Sequence, residues 1–170
     1  LDWIQNICAL CREHGVQLVV VVTPRPAFNV LVYGEKYPEQ MLRLQQVVER
    51  AGGTFLDANL AKGGWYETRD EDFYDGEHLN HNGATRFSQA FASALQALDS
   101  GGSTSSLTYS YDQWDQYLAS IDNISAVTST SYMEDNNTVV NAIAYAGSNV
   151  PVEYRFSLVA DDGTTTLLQD

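Results

Sequence analysis

Apolar residues at Trp3, Ile4, Ile7, Cys8, Leu10 and Cys11 recur with the period of one helical stripe. They predict a helix over Leu1–His14 with Gly15 as its stop. The pattern then becomes nearly continuous. Val16–Val22, apart from Gln17, predicts a strand buried on both faces of a parallel sheet. Thr23-Pro24-Arg25-Pro26 ends that strand, because proline removes a ladder donor. Helical spacing returns from Pro38, a first-turn proline, to about Arg50, with Met41, Leu42, Leu44, Val47 and Val48 inward and Gly52-Gly53 as terminator. Thr54–Leu56 predicts a short second strand ending at Asp57, followed by a polar loop from Lys62 to Glu77. A third helix over roughly Ala84–Leu98 places Phe87, Ala90, Phe91, Ala94, Leu95 and Leu98 on one stripe.

The order helix–strand–helix–strand–helix implies right-handed crossovers and an α/β fold, part of a three-layer, doubly wound parallel sheet, over residues 1–98. Such sheets normally carry about five strands. Two strands therefore require either further strands upstream or strands borrowed from a partner. The stretch Asp99–Ser106 reads as a flexible Ser/Gly linker, and Tyr111–Ile121 as a short helix, so 99–123 is expected to connect two parts. Beyond it the runs Val127–Tyr132, Thr138–Tyr145, Val152–Val159 and Thr165–Leu168 are separated by turn signals, among them Asp162-Gly163. Residues 124–170 are accordingly expected to form part of an antiparallel, immunoglobulin-like sandwich.

In open α/β sheets, sites form beyond the carboxyl ends of the strands. The loop after the second strand holds Asp75-Gly-Glu-His78-Leu-Asn80. An Asp three residues before a His can curl round in one turn and accept the Nδ1–H of the imidazole, leaving Nε2 to take a proton from a hydroxyl. Gly76 makes that turn inexpensive. His78 and Asp75 are thus the candidate catalytic pair.

The run Asp75-x-x-His78-Leu79-Asn80-x-x-Gly83-Ala84-x-x-Phe87 resembles the final block of the SGNH (GDSL-type) hydrolases, and the upstream strand pattern is similar to the last part of that fold. Within the family it is most similar to the branch of the D-alanine transfer protein and the alginate acetyltransferases. The resemblance covers about the first 100 residues. It implies a metal-free serine esterase or O-acyltransferase acting on acyl esters of extracellular or cell-surface glycans, with His78 as base, Asp75 orienting it and no cofactor. Asn80, Trp65 and Tyr66 are the accompanying candidates for substrate binding. Trp65-Tyr66 has two readings, a platform for a sugar ring or a cover for the sheet edge. The Gly-Asp-Ser block and the oxyanion-hole blocks of the family have no counterpart here, so the chain by itself is expected to be inactive. The run Val152–Phe156 with Thr166–Asp170 resembles bacterial immunoglobulin-like surface repeats, which implies spacing or attachment. The alternative to an enzyme is a non-catalytic surface protein built on the same scaffold.

Charge narrows the partners. The net charge is −13, and residues 101–170 carry one basic residue, Arg155, against nine acidic ones. Counterion release requires a basic surface, which excludes nucleic acid as the expected ligand. The lysine-free, Ser/Thr-rich second half suits a secreted or cell-surface setting. No run approaches the ~18 apolar residues of a membrane helix. Cys8 and Cys11 form a CxxC inside the first helix, away from the helix N-terminus that would stabilise a thiolate, and read as packing residues. His81 is set three after His78, but the resembled family uses a metal-free site. Asp70-Glu71-Asp72 reads as a solvated acidic loop without EF-hand spacing. One prediction follows from the strand count: the isolated chain exposes the edge of an incomplete sheet and self-associates. Light scattering should show oligomers, and a monodisperse monomer would contradict this.

Overall fold

The computed structural model describes residues 2–169. The first half alternates as expected: α1 (Asp2–Glu13), β1 (Val19–Val22), α2 (Ala27–Tyr33), α3 (Lys36–Arg50), β2 (Thr54–Asp57) and α4 (His81–Asp99). The two strands pair in parallel, Val19 opposite Thr54 through Val22 opposite Asp57. The short helix α2 was not legible in the sequence. It follows Pro26, whose φ of −51° launches the first turn. The chain is a mixed α/β protein, and no helix among the described residues is long and apolar enough to cross a membrane.

Burial departs from the stripe pattern in two places. On α1 only Cys8 is buried, while Trp3, Ile7 and Leu10 face solvent, Trp3 with 82% of its surface exposed. Every residue of β1 is half-buried rather than enclosed. Both differences have one cause. A strand is enclosed on both faces only when neighbours flank it and helices cover them, and among the described residues β1 has a single neighbour.

The region set apart by composition at residue 99 is not set apart by packing. After α4, a 3-10 turn at Thr104–Ser106 leads into backbone pairing with the α/β half: Tyr109 N–H donates to the Leu60 carbonyl, and Lys62 N–H to that of Leu107, both at 2.8 Å. Tyr111, Trp114 and Tyr117, the last two on α5 (Trp114–Ser120), then enter the same core as Val30, Tyr37, Val48, Phe55 and Leu60. Trp114 stacks on Tyr37 with ring centroids 6.2 Å apart and on Tyr117 at 5.3 Å. The short helix expected over Tyr111–Ile121 is present, as a 3-10 turn at Tyr111–Gln113 followed by α5, and its aromatic residues pack into this core. Ser/Gly composition describes the exposed turn, but the aromatic residues that follow supply more apolar surface than the turn costs in ordering.

A buried carboxylate ties this core together. Asp57, at the end of β2, accepts from the Tyr37 hydroxyl at 2.9 Å, from the Tyr111 hydroxyl at 3.0 Å, and from the Asn59 backbone and side chain at 3.0 and 3.1 Å. Burial raises its pKa above the usual carboxylate range, and the four donors pull against that rise. Burial, together with the Asp57 charge, pushes both tyrosine hydroxyls well above their ordinary value, so they remain donors.

The second half forms two antiparallel hairpins, β3 (Ile124–Glu134) with β4 (Asn137–Ala146), and β5 (Phe156–Val159) with β6 (Thr165–Gln169). Asp135 and Asn136 sit at φ of 47° and 66°, the paired positive values of a turn that matches strand twist. The expected sandwich is present only as far as these hairpins, which stand as separate two-stranded sheets. Val127, Met133, Ile143, Leu158 and Leu168 remain exposed on them. The first hairpin joins the core at Gly147, where an added Cβ would come within 1.8 Å of the Ile121 carbonyl oxygen.

The Asp57 network makes a prediction with a definite sign. An acid whose folded pKa is raised by burial contributes least to stability above that pKa, where it must be ionised in the core. Tyr111→Phe removes a donor that favours the ionised form, so Asp57 rises further. The substitution should cost about 1–3 kcal/mol, with the larger loss at pH 7 than at pH 4, by denaturant unfolding. An equal or larger loss at pH 4 would overturn this account.

Candidate functional site

The site is built on the loop that leads from β2 to α4. Phe73 and Leu79 pair across it as an isolated antiparallel bridge, and the Tyr74 N–H donates to the His78 carbonyl at 2.7 Å. The intervening residues are thereby forced into a tight turn. Asp75 Oδ1 accepts the backbone N–H of Glu77 and of His78, each at 2.8 Å. The same carboxylate faces the imidazole, with Nδ1 of His78 at 3.0 Å from both Asp75 oxygens. The Glu77 and His78 amides, then the imidazole, hold the Asp75 carboxyl below its usual range, so it is ionised at neutral pH. An ionised Asp75 selects the Nδ1–H tautomer of a neutral His78 and leaves Nε2 as the acceptor. Nε2 has no protein partner among the described residues, and 74% of the His78 side chain is exposed.

Asp72 anchors the loop to α4. Its side chain is 2% exposed and pairs with the Arg86 guanidinium, while its carbonyl accepts the Asn80 N–H at 2.8 Å. This corrects the reading of Asp70-Glu71-Asp72 as wholly solvated. Asp70 and Glu71 are exposed, but Asp72 turns inward because Arg86, fourteen residues on, supplies the charge partner. Local sequence could not reveal that pairing.

Asn80, Trp65 and Tyr66 lie in the same neighbourhood with their polar atoms engaged by the protein. Asn80 caps α4, its Oδ1 accepting from the Gly83 N–H at 3.0 Å and its Nδ2 donating to the Glu71 and Phe73 carbonyls. The indole N–H of Trp65 donates to the Ala90 carbonyl at 3.1 Å. Tyr66 packs edge-on against Phe87 with its hydroxyl 3.4 Å from Asp72, and burial followed by the Asp72 charge pushes its pKa up to about 12. Both Trp65 and Tyr66 pack against α4. Tyr66 also reaches a cleft of about 570 Å³, which opens beyond the ends of β1 and β2 and is lined in addition by Arg25, Asn59, Arg69, Tyr109 and Tyr117. Asp75 and His78 do not line it. Arg25 connects the two places, since its guanidinium is 3.9 Å from Glu77.

Three residues with a part in the site carried no sequence signal of that part: Arg25, in the turn between Pro24 and Pro26, and Phe28 and Asn29, in the first turn of α2. Cys8 is buried and Cys11 half-buried, both as free thiols. Among the described residues no group of three or more His, Cys, Asp or Glu side chains is placed to hold a metal ion.

The contact between the loop and α4 is tight enough to test. A Cβ on Gly83 would lie 2.2 Å from the Asp72 carbonyl oxygen and 2.7 Å from its Cβ. Gly83→Ala should therefore destabilise the fold by about 1–3 kcal/mol or more, whereas an alanine elsewhere in a helix interior normally helps. Thermal unfolding measures it, and an unchanged or raised Tm would refute the close approach.

Compared with known proteins, the chain matches no family model, no curated protein and no solved structure.

Proposed function

We propose that this chain carries the acid–base half of a serine-esterase-type site, acting on acyl esters of extracellular or cell-surface glycans. The observation that carries the reading is the Asp75–His78 pair, with Nδ1 held at 3.0 Å by both oxygens of an ionised carboxylate and Nε2 open to solvent. In this reading Nε2 takes the proton from a serine hydroxyl as its oxygen attacks the ester carbonyl. Asp75 stabilises the imidazolium, and the proton then passes to the departing alkoxide. Water or a sugar hydroxyl next attacks the acyl-serine, with His78 again accepting the proton, which yields a free acid or a transferred ester. No Gly-Asp-Ser block occurs in the sequence, so the nucleophile is assigned to a segment outside these 170 residues. The family resemblance of Asp75–Phe87 supports the reaction class. The acidic, lysine-free second half supports the setting.

The cleft bounded by Arg25, Tyr66 and Tyr109 is the place in this scheme where the sugar portion lies, because it opens beyond the strand ends and adjoins the loop through Arg25.

The test uses the polypeptide that includes the nucleophile-bearing segment and an activated acetyl ester. His78→Ala should lower kcat/KM by on the order of a millionfold relative to an intact triad, and Asp75→Asn by about ten-thousandfold. Activity unaffected by His78→Ala would refute the assigned base.

A further inference from the structure

The Asp75–His78 turn is highly exposed, yet its geometry requires the carboxylate, two backbone amides and the imidazole to stay aligned. Three contacts from one short segment converge on the middle of that turn. The Asn29 side-chain amide donates to the Gly76 carbonyl. The Phe28 ring edge sits 3.6 Å from where a Gly76 side chain would begin. The Arg25 guanidinium lies 3.9 Å from the Glu77 carboxylate.

The segment is itself held from beneath. The Arg25 N–H donates to Asn59 Oδ1 at 2.8 Å, and Asn59 Nδ2 lies within hydrogen-bond distance of the Thr23 carbonyl, Tyr37 Oη and Asp57 Oδ1. Asn59 is 7% exposed and belongs to the buried Asp57 network. A rigid, buried anchor thus extends through the Pro24–Pro26 turn to the peptide unit between Asp75 and His78.

We infer that Asn29 is a positioning residue for the Asp75–His78 pair, fixing the Gly76 peptide so that the Asp75 carboxylate faces Nδ1 of His78. The catalytic meaning of this role rests on the proposed base function of His78, but the role itself is structural and can be read without any reaction. The exposed Arg25–Glu77 pair contributes little by comparison, since ion pairs in water are weak. The Asn29 amide is different: it binds a backbone carbonyl, which leaves the turn no rotamer freedom at that point.

Two groups define what should change. With the turn fixed, the ionised Asp75 holds neutral His78 as the Nδ1–H tautomer. A ring released from Asp75 reverts toward the Nε2–H form that free imidazoles favour. Asn29→Asp is the informative substitution: it keeps the side-chain shape, removes the donor, and places a carboxylate in the first turn of α2, where it suits the helix.

The experiment is nitrogen-15 NMR of histidine-labelled full chain at a pH where His78 is neutral, with Asp75→Ala as the reference for an uncoupled ring. Asn29→Asp is expected to lower the Nδ1–H fraction of His78 by at least about twofold toward that reference, with the unfolding midpoint retained. A wild-type tautomer ratio in Asn29→Asp would overturn the proposal. If that variant fails to fold, Asn29→Ala decides the matter by the same signal. A failure of the base assignment would look different: His78→Ala would leave ester hydrolysis intact while the NMR response to Asn29→Asp persisted.

Discussion

A buried carboxylate with several neutral donors organises this molecule. Asp57 ends β2 inside the core, where an unpaired charge would be prohibitive. Its partners come from three separate stretches: Tyr37 from α3, Asn59 from the turn after β2, and Tyr111 from beyond α4. Each hydroxyl must sit within about 3 Å of one oxygen or be left unsatisfied in an apolar setting. Satisfying the group therefore fixes the relative position of all three stretches at once, which non-directional apolar packing around Val48, Phe55 and Leu60 would do less sharply.

The candidate site inherits its order from that network. The Asp75–His78 turn buries almost nothing of its own, so it cannot be held by hydrophobic contact. It is held from one side by Asp72 and Arg86, which lock the start of α4 beneath it, and from the other by the Arg25–Asn29 segment resting on Asn59. Exposure and precision are compatible here because the turn is pinned chiefly by directional hydrogen bonds, among them that of the Asn29 amide on α2 to the Gly76 carbonyl and those of Asp75 within the turn. An exposed imidazole held in one tautomer is the geometry that the proposed base role calls for.

The remaining surface is less settled in kind. β1 has one strand neighbour, α1 turns Trp3, Ile7 and Leu10 outward, and two hairpins keep apolar side chains exposed. An isolated two-stranded sheet gains little from ladder hydrogen bonds alone, since water competes for the same groups.

What the sequence determined by itself was whatever depends on neighbours along the chain. The valine run before Pro24, the helical spacing of α3 and α4, the Asp162-Gly163 turn and the three-residue step from Asp75 to His78 are local, and each is visible as a period, a breaker or a spacing. The tertiary structure decided the rest. Asp72 looked solvated until Arg86 was brought to it. Residues 99–123 read as a linker and a short helix, and the fold places Tyr111, Trp114 and Tyr117 of that helix in the core. In both cases the deciding partner lies farther along the chain than a local pattern reaches, and burial with a hydrogen-bonding partner, rather than composition, sets what a polar or aromatic side chain does. The Asp75–His78 pair was legible because its two members need only one turn to meet; Asn29, which helps hold it, was not, because it reaches Gly76 from 47 positions away.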